Sequence, residues 1–394
     1  VTKLSGALLG IERLVRKSNV IPAKVRQVLV LEYRLPLGCL VHMTPAFEAL
    51  KRARPQEPRQ IGVTVATCGL GFQVLRHSPF IDNLIETPDP TLHLAAAVRA
   101  LRKELDGRGL RPDCVLTGAS DRRTTIALLG LFGSSGWRGG YTLRPVLYHL
   151  PLDYDDSLSL IRNNLRVAKL LGCDAEPTGP RVFFSEADAA AARSLLDAAS
   201  PKGRPVVVMV TQTSGGQRTG WHIERFVQVI RAAALERHCA VVYVGTSAEA
   251  QTIEAIREAA GGIGASLAGK TTVSQLAAVL ALSDFAVTLD TGTMHVGRAA
   301  GLPMVVLGPS WQKPLEWMPL GVENVRILRG EDRPDIPEGY QLDEISAESV
   351  LAALEELMQL YPADSNLREA RLRAGLSAID HVAAPTAAPS CPER

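Results

Sequence analysis

The sequence predicts an α/β protein built from two Rossmann-like domains, and three observations carry that prediction. Short apolar, β-branched runs alternate with longer helical patterns, the arrangement expected of parallel sheets covered by helices. The alternation forms two separate series along the chain. The length of 394 residues accommodates two domains at roughly 100–200 residues each.

Composition narrows the class. Apolar residues at 46% and charged residues at 21% describe a globular chain rather than a disordered or membrane-spanning one. A formal charge of +2 excludes the dense basic surface that nucleic-acid binding needs, so no nucleic acid is expected as a partner. The six cysteines, Cys39, Cys68, Cys114, Cys173, Cys239 and Cys391, include no CxxC pair. Neither a zinc site nor a disulfide framework is indicated. No apolar run approaches the ~18 residues of a membrane span and no signal peptide is evident, so a cytoplasmic location is expected.

Residues 1–24 read as a basic N-terminal extension. Leu4, Leu8, Ile11 and Val15 follow helical spacing beside Lys3, Arg13, Arg16 and Lys17, and residues 1–60 hold eleven Lys/Arg against four Asp/Glu. Such a helix either lies on an anionic membrane surface as a peripheral contact or packs on the protein itself.

The first domain is expected over 25–200, with strands at 25–31, 61–67 and 114–117. Helical patterns near 44–52, 94–105 and 123–131 alternate with these strands, and two more follow at 157–171 and 186–198. The turn-rich Ala199-Ser200-Pro201-Lys202-Gly203 reads as the interdomain linker. The second domain is expected over 201–345, with strands at 206–210, 240–245, 285–289 and 304–307. Helices near 223–235, 249–260, 273–282 and 295–300 separate them. Residues 346–361 read as one amphipathic helix. The Ala/Pro-rich 362–394 lacks core-forming residues and is expected to be a mobile tail.

The strongest local signal is the run Phe285-Ala286-Val287-Thr288-Leu289, then Asp290-Thr291-Gly292-Thr293-Met294-His295, then Val296-Gly297-Arg298-Ala299-Ala300-Gly301. A strand, a tight turn and a helix start aim free backbone N–H groups and the positive end of a helix dipole at one place, where a diphosphate can sit. Thr291 and Gly292 would supply N–H groups, Asp290 an acceptor for sugar hydroxyls, and His295 a donor to a phosphate oxygen. The structural alternative is that Asp290 and Thr291 cap the helix and His295 is a core histidine.

This stretch resembles glycosyltransferase family 9, the heptosyltransferases. The family pattern is a strand, Asp-Ser/Thr-Gly-x-x-His, an Ala/Gly-rich helix and a Pro-led strand. Asp290 to His295, Ala299-Ala300-Gly301-Leu302-Pro303 and Gly308-Pro309 match it in order. Upstream, Leu267-Ala268-Gly269-Lys270-Thr271 is similar to the family's L-x-G-K-T/S stretch, and Val244-Gly245-Thr246 with Glu249 to its ribose-binding loop. The likeness covers roughly residues 206–312. It implies a GT-B fold, two Rossmann-like domains facing a central cleft, with a nucleotide-sugar donor held at the carboxyl ends of the second domain's strands. The donor implied is of the ADP-heptose type. By resemblance Glu249 holds the nucleotide ribose and Asp290 the donor sugar, while Thr291, Gly292 and His295 hold the diphosphate. Glu249 is equally explained as a carboxylate at a helix N-terminus.

The first domain resembles the family more thinly, through Val28-Leu29-Val30-Leu31, a loop with Gly38, and Leu40-Val41-His42-Met43-Thr44-Pro45-Ala46-Phe47. Where the family has its catalytic aspartate this sequence has Cys39. An inverting transfer needs a base for the acceptor hydroxyl and positive charge for the departing diphosphate. A thiol with an ordinary pKa of ~8.5 serves poorly as that base. His42 is the best replacement, and Glu32 at the strand end a weaker one. In Thr211-Gln212-Thr213-Ser214-Gly215-Gly216-Gln217-Arg218-Thr219-Gly220-Trp221 the family's lysine is replaced by Thr219. Arg218 can supply equivalent charge to the diphosphate, with Thr213 and Ser214 as hydroxyl donors.

Asp153-Tyr154-Asp155 matches an Asp-x-Asp metal motif only as an acidic loop, and no metal or other cofactor is expected. The sequence thus reads as a glycosyltransferase acting on a glycan or glycolipid acceptor such as lipopolysaccharide. The alternatives are a donor-binding pseudoglycosyltransferase and a sugar-nucleotide 2-epimerase.

Overall fold

The computed structural model describes residues 25–33, 36–52, 61–173, 179–200, 203–213, 220–336 and 338–382. The chain divides into two compact units, Val1–Thr178 with Ile379–Arg394, and Gly179–Ala378.

In the first unit the order is β1 (Gln27–Leu31), α1 (Leu37–Lys51), β2 (Gly62–Thr67), α2 (Leu70–Leu75), β3 (Asn83–Glu86) and α3 (Pro90–Gly107). It continues with β4 (Cys114–Thr117), α4 (Thr124–Gly133), β5 (Trp137–Tyr141), β6 (Leu150–Leu152) and α5 (Leu160–Lys169). The six strands form one parallel sheet in the order β3-β2-β1-β4-β5-β6. Val28 to Leu31 are wholly buried, as befits a central strand covered on both faces, which explains why it reads as a continuous apolar run. Leu29, Leu31, Val115, Ala97, Leu101 and Leu129 share one core between sheet, α3 and α4.

Helix α1 starts at Leu37, seven residues before the expected position near 44. Pro45 lies inside it, where the missing N–H would leave the Val41 carbonyl without its helical donor. The Thr44 hydroxyl donates to that carbonyl at 2.8 Å, so the helix passes through the proline.

The second unit runs α6 (Glu186–Ala199), β7 (Val206–Val210), α7 (Ile223–Arg231), β8 (Ala240–Tyr243), α8 (Ala250–Ala259), β9 (Ala265–Ser266) and α9 (Val273–Leu282). It then runs β10 (Phe285–Leu289), α10 (Gly292–Ala299), β11 (Met304–Leu307), α11 (Pro314–Trp317), β12 (Val325–Leu328), α12 (Ala347–Leu360) and α13 (Ser365–Gly375). Its parallel sheet has the order β12-β11-β10-β7-β8-β9. Val207, Val287, Leu289, Val305 and Leu307 pack with Phe226, Val350 and Leu354 in its core. Each such side chain contributes about 1.5–3 kcal/mol by leaving water.

Two boundaries differ from expectation. The division falls at Thr178/Gly179 rather than in Ala199–Gly203, because α6 packs on α9 and so belongs to the second unit. The expected tail from residue 362 contains α13, which also packs on α9 and buries Leu372. Arg371 Nε donates to the Ala281 carbonyl at 3.1 Å and its Nη2 to that of Ser283, supplying donors where α9 runs out of its own. Buried Asp284 accepts the Val206 N–H at 2.7 Å and faces Arg368 at 3.5 Å. Residues 379–382 then belong to the first unit, where Asp380 pairs with Arg76 at 2.8 Å and His77 Nδ1 lies 2.9 Å from the Ile379 carbonyl. The sequence pattern missed α13 because its anchoring is mostly polar.

Candidate functional site

A doubly wound sheet binds ligands beyond the carboxyl ends of its strands, at the point where strand order reverses. In the second unit that point lies between β7 and β10. Pairing of Leu289 with Leu307 and of Thr288 with Val210 sets Asp290 abreast of Gly308 on one side and close to Thr211 on the other. Asp290 and the turn that follows it therefore stand at the switch point.

Asp290 follows β10 and is only 2% exposed. Burial pushes its carboxyl up to about 6, because little water remains to solvate the charged form. Helix α10 begins at Gly292, not at the expected His295, with Thr291 as its N-cap and no side chain capping it. The Met294 N–H turns back to the Thr291 carbonyl at 3.1 Å, while the Gly292 and Thr293 N–H groups before it take no bond from the N-cap side chain, an arrangement that suits phosphate oxygens. His295 is buried in the same helix, and burial, assisted by Arg298, lowers its pKa to about 3. It is a neutral imidazole at pH 7, able to donate one N–H but carrying no charge. The Arg298 guanidinium is half-buried and its pKa is lowered by the same desolvation.

The loops after β8 and β9 form an adjoining floor. The Gly269 N–H donates to the Gly245 carbonyl at 2.9 Å, and a Cβ on Gly269, at φ +70°, would stand 2.9 Å from the Ser247 Cα. Only glycine lets these backbones approach so closely. Glu249 is half-buried, and its Oε2 accepts the Thr246 N–H at 2.7 Å in a capping box. The structural role expected of a helix-start carboxylate is therefore present, whatever else Glu249 touches. Lys270 Nζ donates to the Ser266 carbonyl at 2.8 Å. Thr213 is half-buried just beyond β7. Ser214 and Arg218 lie outside the described residues, as does the extension 1–24. Trp221 is a structural residue, buried with its Nε1 donating to the Ile345 carbonyl at 2.9 Å. A cavity of about 670 Å³ in this unit is lined by Asp284, Pro303 and Asn324, which precede β10, β11 and β12. It is at the wrong end of the strands to be the donor site.

The first unit reverses strand order between β1 and β4. Glu32 directly follows β1 there and is fully buried. A Cβ on Gly118, just after β4, would meet Met43 Sδ at 2.9 Å, Asn164 Oδ1 at 3.2 Å and Glu32 Oε2 at 3.3 Å. Asn164 on α5 donates to the His42 carbonyl at 3.1 Å and accepts the Ala119 N–H at 2.8 Å. It ties α1 to the loop after β4. Sequence reading missed Gly118 and Asn164, since neither carries a local signal. It also expected Gly38 and Cys39 in a loop and His42 near a helix start. They lie instead in the first turns of α1, with Cys39 4% and His42 1% exposed. Leu40, Val41 and Met43 are buried beside them, and α1 packs chiefly on α5. Asp155 is engaged locally, accepting from the Ser157 N–H at 2.9 Å and its hydroxyl at 2.6 Å, and Tyr154 packs under the Arg122 guanidinium. Among the described residues no helix is long and apolar enough to cross a membrane.

Two doubly wound parallel sheets in tandem are the architecture of GT-B glycosyltransferases, and this chain has it. The model of glycosyltransferase family 9 (heptosyltransferase) matches residues 134–341, and the chain belongs to that family. Solved structures agree in fold. A family 9 glycosyl transferase from Veillonella parvula superposes with TM-score 0.77 at 20% identity, over 86% of this chain and 99% of that one. The E. coli ADP-heptose lps heptosyltransferase II gives 0.70 at 19% identity, over 86% and 100%. E. coli heptosyltransferase WaaC with ADP-2-deoxy-2-fluoro heptose gives 0.63 at 18% identity, over 84% and 99%. No curated protein matches the sequence.

Proposed function

We propose that this glycosyltransferase transfers a sugar, with inversion, from a nucleotide donor of the ADP-heptose type to a lipopolysaccharide or other surface-glycan acceptor. The observation that carries the reading is the uncapped start of α10 beside buried Asp290 at the switch point of the second sheet. The Thr291 and Gly292 N–H groups and neutral His295 would hold the diphosphate. Asp290 would accept sugar hydroxyls, and Glu249 would contact ribose through the carboxylate edge its capping bond leaves over. Arg218, with Thr213 and Ser214, would offset charge on the leaving diphosphate, so that no metal is required. The relative named with ADP-2-deoxy-2-fluoro heptose has the same fold, which supports a nucleotide-sugar ligand.

For the proton acceptor, Glu32 gains weight over His42 and Cys39, since it is a carboxylate directly following the central strand at the first sheet's switch point. A second reading, donor binding without transfer, is favoured by the burial of Cys39, His42 and Glu32 together. Incubation with ADP-heptose and a heptose-deficient lipopolysaccharide core, with product analysis by mass spectrometry, separates the two. The first reading expects transferred heptose in the presence of chelator, lost in Glu32→Gln. Donor binding with no transferred sugar supports the second.

A further inference from the structure

The carboxyl edge of the second sheet continues past β10 to β11 and β12. Leu307 pairs with both Leu289 and Leu328, so Asp290, Gly308 and Arg329 stand abreast at the ends of β10, β11 and β12. Strands in a sheet are ~4.8 Å apart, which puts Arg329 within roughly 10 Å of Asp290 along this edge. Trp311 Nε1, Gln312 Oε1 and Arg329 Nε are buried here with no hydrogen-bond partner among the described residues. Thr211 Oγ1, at the end of β7, is in the same condition. Buried polar atoms are normally satisfied, and an unsatisfied group costs free energy unless a ligand or water meets it. Three such atoms on one short loop and the residue beside it call for a common explanation.

The loop is rigid. Arg329 Nη2 lies 3.4 Å from the Pro309 carbonyl and 3.2 Å from those of Ser310 and Gln312, while Nη1 pairs with Asp332 at 2.7 Å. Ser310 is held by Tyr340, whose hydroxyl donates to Glu344 at 2.6 Å. The three atoms offer two donors, the indole and guanidinium N–H, and one acceptor. That set suits hydroxyl groups, which both give and take hydrogen bonds. A phosphate, which only accepts, would leave the Gln312 oxygen opposed.

We propose that Trp311, Gln312 and Arg329 form the glycosyl subsite of the donor site and read the hydroxyls of the sugar being transferred. The inference rests on the donor reading above. With ribose near Glu249 beyond β8 and diphosphate at α10 beyond β10, the donor continues along the edge toward β11 and β12, where these residues stand.

The test compares calorimetric affinities of wild type, Trp311→Phe and Gln312→Leu for ADP and ADP-heptose, and for UDP and UDP-glucose. Phenylalanine keeps the packing and removes the N–H, and Gln312 provides a second variant with less of the core at stake. Loss of one hydrogen bond should weaken the sugar nucleotide about 5- to 10-fold, with the matching nucleoside diphosphate unchanged. Variants that keep the wild-type ratio of the two affinities, as they would if only a structural water met these atoms, overturn the inference and leave the donor site standing. Equal losses for diphosphate and sugar nucleotide overturn it too. Wild type binding none of the four ligands overturns the donor reading and the subsite with it.

Discussion

Replacing Asp290 by asparagine should expose the energetic cost of keeping a buried acid at the end of β10. The carboxyl is 2% exposed and burial pushes its pKa up to about 6. A folded value of about 6 against ~3.9 in the unfolded chain means that ionising Asp290 costs the native state about 3 kcal/mol. Because the folded value is raised, the favourable contribution is fully present below pH ~4 and is lost as pH rises through about 6. Asparagine does not titrate, so whatever its amide costs is constant with pH and cancels from the comparison. The stability of Asp290→Asn minus that of wild type should therefore grow by about 2–2.5 kcal/mol between pH 4 and pH 8, most of it before pH 7. Urea unfolding of both proteins at unit steps of pH reads this difference directly. A difference that stays flat, or shrinks, with rising pH would refute the buried-acid argument. The same variant should bind nucleotide sugar more weakly, trading function for stability at neutral pH.

Cys39→Asp should not restore a base but should destabilise the first unit by on the order of 2–4 kcal/mol at pH 7, since it buries a charge in the first turn of α1. Unchanged stability with raised transfer would show that the position faces the acceptor. Asn164→Leu should cost about 1–3 kcal/mol by leaving the buried Ala119 N–H unpaired, read by denaturant unfolding. Arg218→Gln should weaken a nucleoside diphosphate more than the nucleoside, and calorimetry giving equal losses would place Arg218 elsewhere.

Most of the second unit was legible because its strands β7, β10 and β11 are buried and appear as short, mainly apolar runs with β-branched residues, bounded by turns. The elements that escaped notice lack that signal. Strand β5 is Trp-Arg-Gly-Gly-Tyr, and Gly140, at φ +112°, lies where a Cβ would be 2.3 Å from the Thr117 carbonyl. Close approach to β4, not side-chain propensity, makes it a strand. Strand β9 has only two residues and borders the sheet. In α1 the expected pattern began only near residue 44, whereas the Thr44 hydroxyl lets a longer helix run through Pro45. The turn and helix start after β10 were readable because the strand–turn–helix places Asp290 to His295 consecutively. The first unit's cluster was not, because Glu32, Gly118 and Asn164 meet only through the sheet order and α5.

If the start of α10 is a nucleotide-sugar site, a ligand titration of the folded protein reveals it. Thermal melts of wild type and Gly292→Val are recorded with ADP-heptose and with UDP-, GDP- and dTDP-linked sugars. A ligand at a hundredfold excess over its Kd stabilises the folded protein by ~2.7 kcal/mol, enough to raise the wild-type Tm by several degrees. That rise is expected with at least one nucleotide sugar, and its disappearance in Gly292→Val, which should keep the wild-type fold by circular dichroism but crowd the first turn. A folded Gly292→Val that shifts as far as wild type, or a wild type that responds to none of these ligands, contradicts the assignment.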